Sequence, residues 1–231
     1  MGDRDLKLEL VHRFFAGTGD SYDFMVNVAT FGIDRRWKRR VVDLIPRNPA
    51  RVLDLACGTG ISTLAIAKRY PDCLVIGVEL RDEYLRIAKQ KVEKLGIRNV
   101  EFVLSRAEDY EPSEKFDCVS SSYLAKYADL PRLTRNTKDM LNDNGVLLMH
   151  DFTYPPKTYL AGIWRFYFRA LQLVGSPFFP AWREIFYGLP SLIEETRWVP
   201  ELKGVLRENG FRDIQMEYLT AYGSAIITAR K

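Results

Sequence analysis

The chain has 231 residues, 47% hydrophobic and 28% charged, which is the composition of one ordinary globular domain with enough apolar mass for a full core. Its formal net charge of +4 is too small to argue for nucleic acid as a partner, and no run of about twenty uncharged apolar residues offers a membrane-spanning helix. Cys57, Cys73 and Cys118 lack zinc-ligand spacing, so no metal is expected, and their odd number fits reduced thiols in a cytoplasmic protein. The charged start Met-Gly-Asp-Arg-Asp has no apolar region of the secretory kind.

Residues 5–27 read as a short amphipathic helix (Leu8, Val11, Phe14, Phe15) followed by a Gly-Thr-Gly-Asp-Ser loop, with His12 at the surface. A helix from Asp34 to Ile45 carries Arg35, Arg36, Lys38, Arg39 and Arg40 around Trp37 and Val41, and Pro46 and Pro49 end it. Residues 1–46 are expected to form a helical cap before a domain of residues 47–231. Strands are predicted near 51–56, 74–79, 100–105, 116–122 and 145–151, with helices near 60–69, 82–95 and 130–141 among them. Asn144-Gly145 reads as the helix stop before the fifth strand. After an insertion at 153–197, a helix near 199–208 leads to strands near 211–219 and 223–229. The short turn at Thr220–Tyr222 makes those two antiparallel. The expected class is α/β, a seven-stranded doubly wound sheet with only the last strand reversed and an aromatic-rich helical insertion after strand five.

Ligands bind such sheets outside the carboxyl ends of the strands. There the sequence places Asp54, Cys57, Gly58, Thr59 and Gly60 at the end of the first strand, with Glu79 and Leu80 at the end of the second. A glycine turn opening a helix lets backbone N–H groups approach a ligand, and an acid at the second strand tip suits a ribose. A dinucleotide fingerprint would need glycine at position 63, where Thr63 stands. The acid at Asp54 suits a ligand with an amino-acid end, and S-adenosylmethionine is such a ligand. Arg106 and Ala107 after strand three and Ser122 after strand four complete the candidate cofactor set, with Tyr22 from the cap.

Upstream, Tyr22-Asp-Phe-Met-Val-Asn27 and Phe31-Gly-Ile-Asp-Arg-Arg-Trp-Lys38 carry a more specific signal. With the glycine turn they resemble the Rossmann-like class I S-adenosylmethionine-dependent methyltransferases, and among these the quinone-biosynthesis C-methyltransferases of the UbiE/COQ5 family. The family has a similar Tyr-Asp-x-Met-Asn element followed by Ser-Phe-Gly-x-x-Arg-x-Trp-Lys. The resemblance implies cofactor contacts at Thr59, Glu79, Arg106, Ala107 and Ser122. It implies C-methylation of a hydrophobic isoprenoid quinol such as demethylmenaquinol, as in menaquinone biosynthesis. The chain departs from the pattern where Tyr123-Leu-Ala-Lys-Tyr127 replaces the family's Phe-Gly-Leu-Arg-Asn, and where Met149-His-Asp-Phe-Thr153 replaces Leu-Glu-Phe-Ser. These departures leave N- or O-methylation of another hydrophobic small molecule or lipid as the alternative. RNA or protein methylation is disfavoured because no Asn/Asp-Pro-Pro-Tyr element follows strand four, and the intact cofactor motifs argue against a non-catalytic binder.

Ring methylation of a quinol needs a hydroxyl proton removed, and His150, with Asp151 as partner and Lys126 nearby, is the expected catalytic group. Tyr123, Trp164 and Phe168 are the expected substrate contacts, the last two in an insertion rich in aromatics that reads as an apolar lid. Arg165 and Arg169, four apart, join the 35–40 cluster as a basic surface suited to anionic lipid or to solvent. The expected partners are a hydrophobic small molecule and a peripheral membrane surface, for a monomer or homodimer.

Overall fold

The computed structural model describes residues 3–231, with side chains from Lys7 onward. Three helices lead in: α1 (Asp3–Phe15), α2 (Tyr22–Ala29) and α3 (Asp34–Asp43). Residues 5–27 read as one helix and a Gly-Thr-Gly-Asp-Ser loop, whereas after that loop Tyr22–Ala29 forms a helix of its own. Gly17 at φ +65° breaks the chain after α1. Thr18 then fixes the turn by donating to Phe15 O at 3.0 Å, with its hydroxyl 2.5 Å from that of Tyr84.

Alternation follows: β1 (Arg51–Leu55), α4 (Ile61–Arg69), β2 (Leu74–Glu79), α5 (Asp82–Leu95), β3 (Val100–Leu104), β4 (Phe116–Ser122), α6 (Leu130–Met140) and β5 (Leu141–Phe152). The insertion consists of α7 (Thr158–Ala170), a π-helical turn (Leu171–Gly175), α8 (Ser176–Phe178) and α9 (Arg183–Glu195). Helix α10 (Trp198–Glu208) and strands β6 (Arg212–Leu219) and β7 (Ser224–Arg230) close the chain. The seven strands lie in the order β3-β2-β1-β4-β5-β7-β6, and β7 runs antiparallel to both its neighbours, as expected.

Asn144-Gly145 is not the stop of α6. That helix ends at Met140, Leu141 already pairs with Phe116, and Asn144 at φ +63° turns the chain inside β5 before Val146 pairs with Cys118. An Asn-Gly pair serves a bulge as readily as a helix end, because both need a left-handed residue.

Side chains alternate between the two faces of the sheet. One face packs Leu53, Val119, Leu147 and Ile227 against α6 and α10, including Leu130, Trp198 and Leu202. The other packs Val52, Cys118, Leu148 and Ile226 against Trp37 and Val41 of α3 and Ile66 of α4. Helix α3 is thus a core layer of the sheet. A third cluster, away from the sheet, joins Phe14 and Met25 to Trp182, Ile185 and Phe186 of the insertion. Strand order reverses between β1 and β4, and the ends of those strands bring residues 56–60 and 122–123 together.

Candidate functional site

Left-handed backbone builds the turn after β1: φ is +53° at Ala56, +57° at Gly58 and +81° at Gly60. A Cβ on Gly60 would meet the Ala88 Cβ at 3.1 Å, so α4 begins where only glycine fits comfortably. Beneath the turn, Asp54 is 1% exposed and accepts from Thr63 Oγ1 at 2.7 Å and Ser120 Oγ at 3.1 Å. Burial outweighs those bonds and lifts its carboxyl from 3.8 to about 6. Glu79 at the tip of β2 accepts from Gly58 N and Arg81 N, both at 2.9 Å, while burial raises its pKa against them.

Helix α2 clasps this turn. Thr59 Oγ1 donates to Asp23 at 2.5 Å, and Lys91 donates both to Asp23 and to Thr59 O, the latter at 2.9 Å. The adjacent Tyr22 stacks on Trp182 with ring centroids 5.9 Å apart and meets Phe15 and Tyr84 edge-on.

Three spaces meet around these groups. A cleft of about 110 Å³ is lined by Glu79, Leu80, Arg106, Ala107, Glu108 and Ser122, with Leu8, Val11 and Phe15 of α1 above. A narrow extension of about 30 Å³ is lined by Asp54, Cys57, Gly58, Thr59, Ser122 and Lys38. An apolar cavity of about 380 Å³ is lined by Met25, Phe152, Trp164, Phe168, Trp182 and Phe186 among others. Tyr22 and Tyr123 line all three spaces. Of the residues singled out from sequence as cofactor contacts, all but Gly60 line one of the two polar clefts, and Gly60 holds the turn. Trp164, Phe168 and Lys126 line the apolar cavity.

Tyr123 stands at φ +67°, a conformation uncommon for a bulky residue, and its N–H donates to His150 O at 2.7 Å. Its ring stacks on Phe152 at 4.5 Å, and its hydroxyl donates to Asp34 Oδ1 at 2.5 Å. Lys38 donates to the same Asp34 oxygen at 2.6 Å and lies 4.6 Å from the centroid of the Tyr123 ring. Lys38 therefore leaves the basic surface read from residues 35–40: it is 7% exposed and Asp34 is 3% exposed. Arg165 is likewise engaged, donating to Tyr154 Oη at 2.6 Å and Glu194 at 3.0 Å.

The expected catalytic groups lie beneath this layer. Lys126 donates to Asp151 Oδ1 and to Tyr123 O, the latter at 3.3 Å, and burial lowers its pKa while Asp151 opposes the shift. Asp151 is fully buried and also accepts from Phe152 N at 2.7 Å. His150 is 1% exposed and lines none of the three spaces, which corrects the expectation that its ring faces a substrate. Ser224 Oγ donates to Asp151 O at 2.8 Å and lies 2.8 Å from His150 Nε2, and His150 Nδ1 lies 3.3 Å from Ser122 Oγ. Burial, helped by Lys38 and Lys126, holds the imidazole pKa well below 6.5.

Sequence reasoning missed Asp23, Asp34, Tyr84 and Tyr127 as site residues, which line or brace these spaces, while Glu108 and Trp182 fall in the loop after strand three and in the aromatic insertion that it had marked. A signal for Asp34 was present: it is the only acid in the otherwise basic stretch 34–40, four residues before Lys38.

The sequence matches the ubiE/COQ5 methyltransferase family over residues 3–231. A demethylmenaquinone methyltransferase of Thermus thermophilus is 33% identical over 220 residues, covering 92% of this chain and 97% of that protein. The ubiquinone/menaquinone biosynthesis C-methyltransferase UbiE of Proteus mirabilis is 31% identical, covering 94% of this chain and 89% of that protein. Among solved structures, an Aquifex aeolicus SAM-dependent methyltransferase has a TM-score of 0.62 at 17% identity, covering 84% of this chain and 88% of that one. A Haemonchus contortus phosphoethanolamine N-methyltransferase has a TM-score of 0.64 at 16% identity, covering 85% of this chain and 52% of that one. These structural likenesses speak for the fold.

Proposed function

The chain belongs to the ubiE/COQ5 methyltransferase family, and from that premise we propose that it methylates a ring carbon of a reduced isoprenoid quinone, demethylmenaquinol in particular. It is a methyltransferase, and S-adenosylmethionine is its cofactor. The donors in the two polar clefts fit that molecule. In the narrow extension, the Asp54 carboxylate and Lys38 ammonium would complement the ammonium and carboxylate of a methionine end. Glu79 would accept from the ribose hydroxyls, and Leu80, Ala107 and the Arg106–Glu108 pair would enclose the base. Bound there, S-adenosylmethionine supplies an electrophilic methyl on a sulfonium. Tyr22 and Tyr123, which wall all three spaces, would align acceptor and methyl and exclude water.

The observation that carries the acceptor class is the apolar cavity of about 380 Å³ that meets the polar clefts at those two tyrosines. Its lining of aromatic and aliphatic side chains suits a naphthoquinol ring with an isoprenoid tail. Lys126, facing this cavity, would hold an acceptor oxygen, with Asp151 keeping its ammonium charged. His150, neutral and bonded to Ser122, would position the wall of the cofactor cleft without touching the acceptor. Phe31 and Ile163 line the cavity yet are 78% and 63% exposed, and Phe166 beside them is 75% exposed. That apolar rim suits an acceptor drawn from a bilayer by a peripherally bound enzyme; among the described residues no helix is long and apolar enough to cross one.

Mass spectrometry of quinones and lipids from cells lacking the gene tests the acceptor. Accumulation of demethylmenaquinone is expected; unchanged quinones with an altered phospholipid or phenolic ether would replace the quinol by another hydrophobic acceptor.

A further inference from the structure

Tyr123 places a hydroxyl in the wall shared by the three spaces, and Asp34 lies behind it. Asp34 lines none of the three spaces and is 3% exposed; it meets them through the side chains bonded to it, the Tyr123 hydroxyl and the Lys38 ammonium. That hydroxyl has one proton, directed to Asp34, which leaves its oxygen with the capacity to accept a bond, and the Tyr123 side chain lines the apolar cavity. Two ammonium groups lie over the same ring, Lys38 at 4.6 Å and Lys126 at 5.5 Å, where they favour negative charge building on the phenol.

We infer that Tyr123 and Asp34 form the proton relay that activates the acceptor. This rests on the quinol reading above. The acceptor O–H proton moves to the Tyr123 oxygen as the tyrosine's own proton moves to Asp34 Oδ1, so Tyr123 begins and ends neutral. The electron pair of the broken O–H bond conjugates into the ring, and the ring carbon forms a bond to the methyl as the methyl–sulfur bond breaks and its electrons stay on sulfur. The methylated carbon then loses its hydrogen as a proton to solvent, and Asp34 returns its proton through Tyr123 to the acceptor oxygen. Burial and the Asp34 carboxylate push the phenol pKa well above 10, which suits a relay that passes a proton without resting as a phenolate. Tyr123 is the catalytic residue and Asp34 acts through it.

The test uses the purified enzyme with S-adenosylmethionine and a short-tailed demethylmenaquinol kept reduced. Tyr123→Phe should lower kcat by about 10²–10⁴ and raise acceptor KM by no more than about tenfold, with little change in cofactor affinity. Asp34→Asn should match it, and the double variant should fall no further. Asp34→Asn leaves Lys38, itself a wall of the cofactor cleft, without its buried partner, so its fold is verified by circular dichroism and thermal unfolding, and Tyr123→Phe carries the test if that variant fails. A binding readout stands apart from turnover. In the presence of S-adenosylhomocysteine, the native protein should bind a naphthol about tenfold more tightly than its methyl ether, a preference Tyr123→Phe should erase. Native kcat in Tyr123→Phe, multiplicative losses in the double variant, or an unchanged naphthol preference would overturn the relay alone. No quinol turnover by the native enzyme would overturn the quinol reading and the relay with it.

Discussion

Asp54 and Glu79 are both buried acids at strand ends, yet they differ in what holds them. Asp54 receives two side-chain hydroxyls and titrates at about 6, whereas Glu79 receives two backbone N–H groups. If the Asp54 carboxylate pairs with the cofactor ammonium, free protein binds a proton that the complex must lose. Cofactor affinity is therefore expected to be flat near neutral pH and to fall as pH drops through about 6, by at most about tenfold per unit. Calorimetry between about pH 5 and pH 7, where the ligand's amino group stays protonated, reads this directly. Asp54→Asn should bind more weakly and without that slope. Glu79→Ala should cost about 2–3 kcal/mol of cofactor affinity through lost charged hydrogen bonds, and unchanged affinity would put the ribose elsewhere. Asp54 and Glu79 were legible in the sequence because a short turn ties each to its strand end. Asp34 and Lys38 were legible only as a pair four apart on a helix, which ordinarily faces water, and their place in the site was not. Their burial is set by Tyr123, 89 residues away along the chain. His150 sits at a strand end, but the residue that decides its environment, Ser224, comes from β7.

At the scale of elements, α2 and α7 do different work. Helix α2 holds the glycine turn after β1 through Asp23 and walls the junction through Tyr22, while α7 presents Trp164 and Phe168 to the apolar cavity. Trp164→Ala or Phe168→Ala should therefore weaken acceptor binding by about 1.5–3 kcal/mol while leaving cofactor affinity nearly intact. Titration of each ligand separately distinguishes this from the reverse pattern, which would make α7 part of the cofactor site. The alternating strands and helices were readable from apolar runs and their punctuation. The π-helical turn after α7 and the bulge in β5 were not. The first depends on packing inside the insertion, and the second on a register shift opposite Phe116 and Cys118.

Across the whole molecule, the doubly wound sheet supplies the polar half of the site and the helices before and after it supply the apolar half. The strand order and the reversed β7 were implied by connection lengths and the tight turn at residues 220–222. The meeting of α2, the end of β4 and the insertion at Tyr22 and Tyr123 was not implied by any local pattern, because it joins segments some hundred residues apart. That junction is the centre of the functional reading: a quinol ring in the apolar cavity presents carbon to the methyl. The most direct measurement is mass spectrometry of the product formed by the purified enzyme from reduced demethylmenaquinone and S-adenosylmethionine with a deuterated methyl. Label on a ring carbon, retained after the product is reoxidised to the quinone, is the expected result. Label on oxygen, or no labelled quinone from an enzyme that binds its cofactor normally, would contradict it.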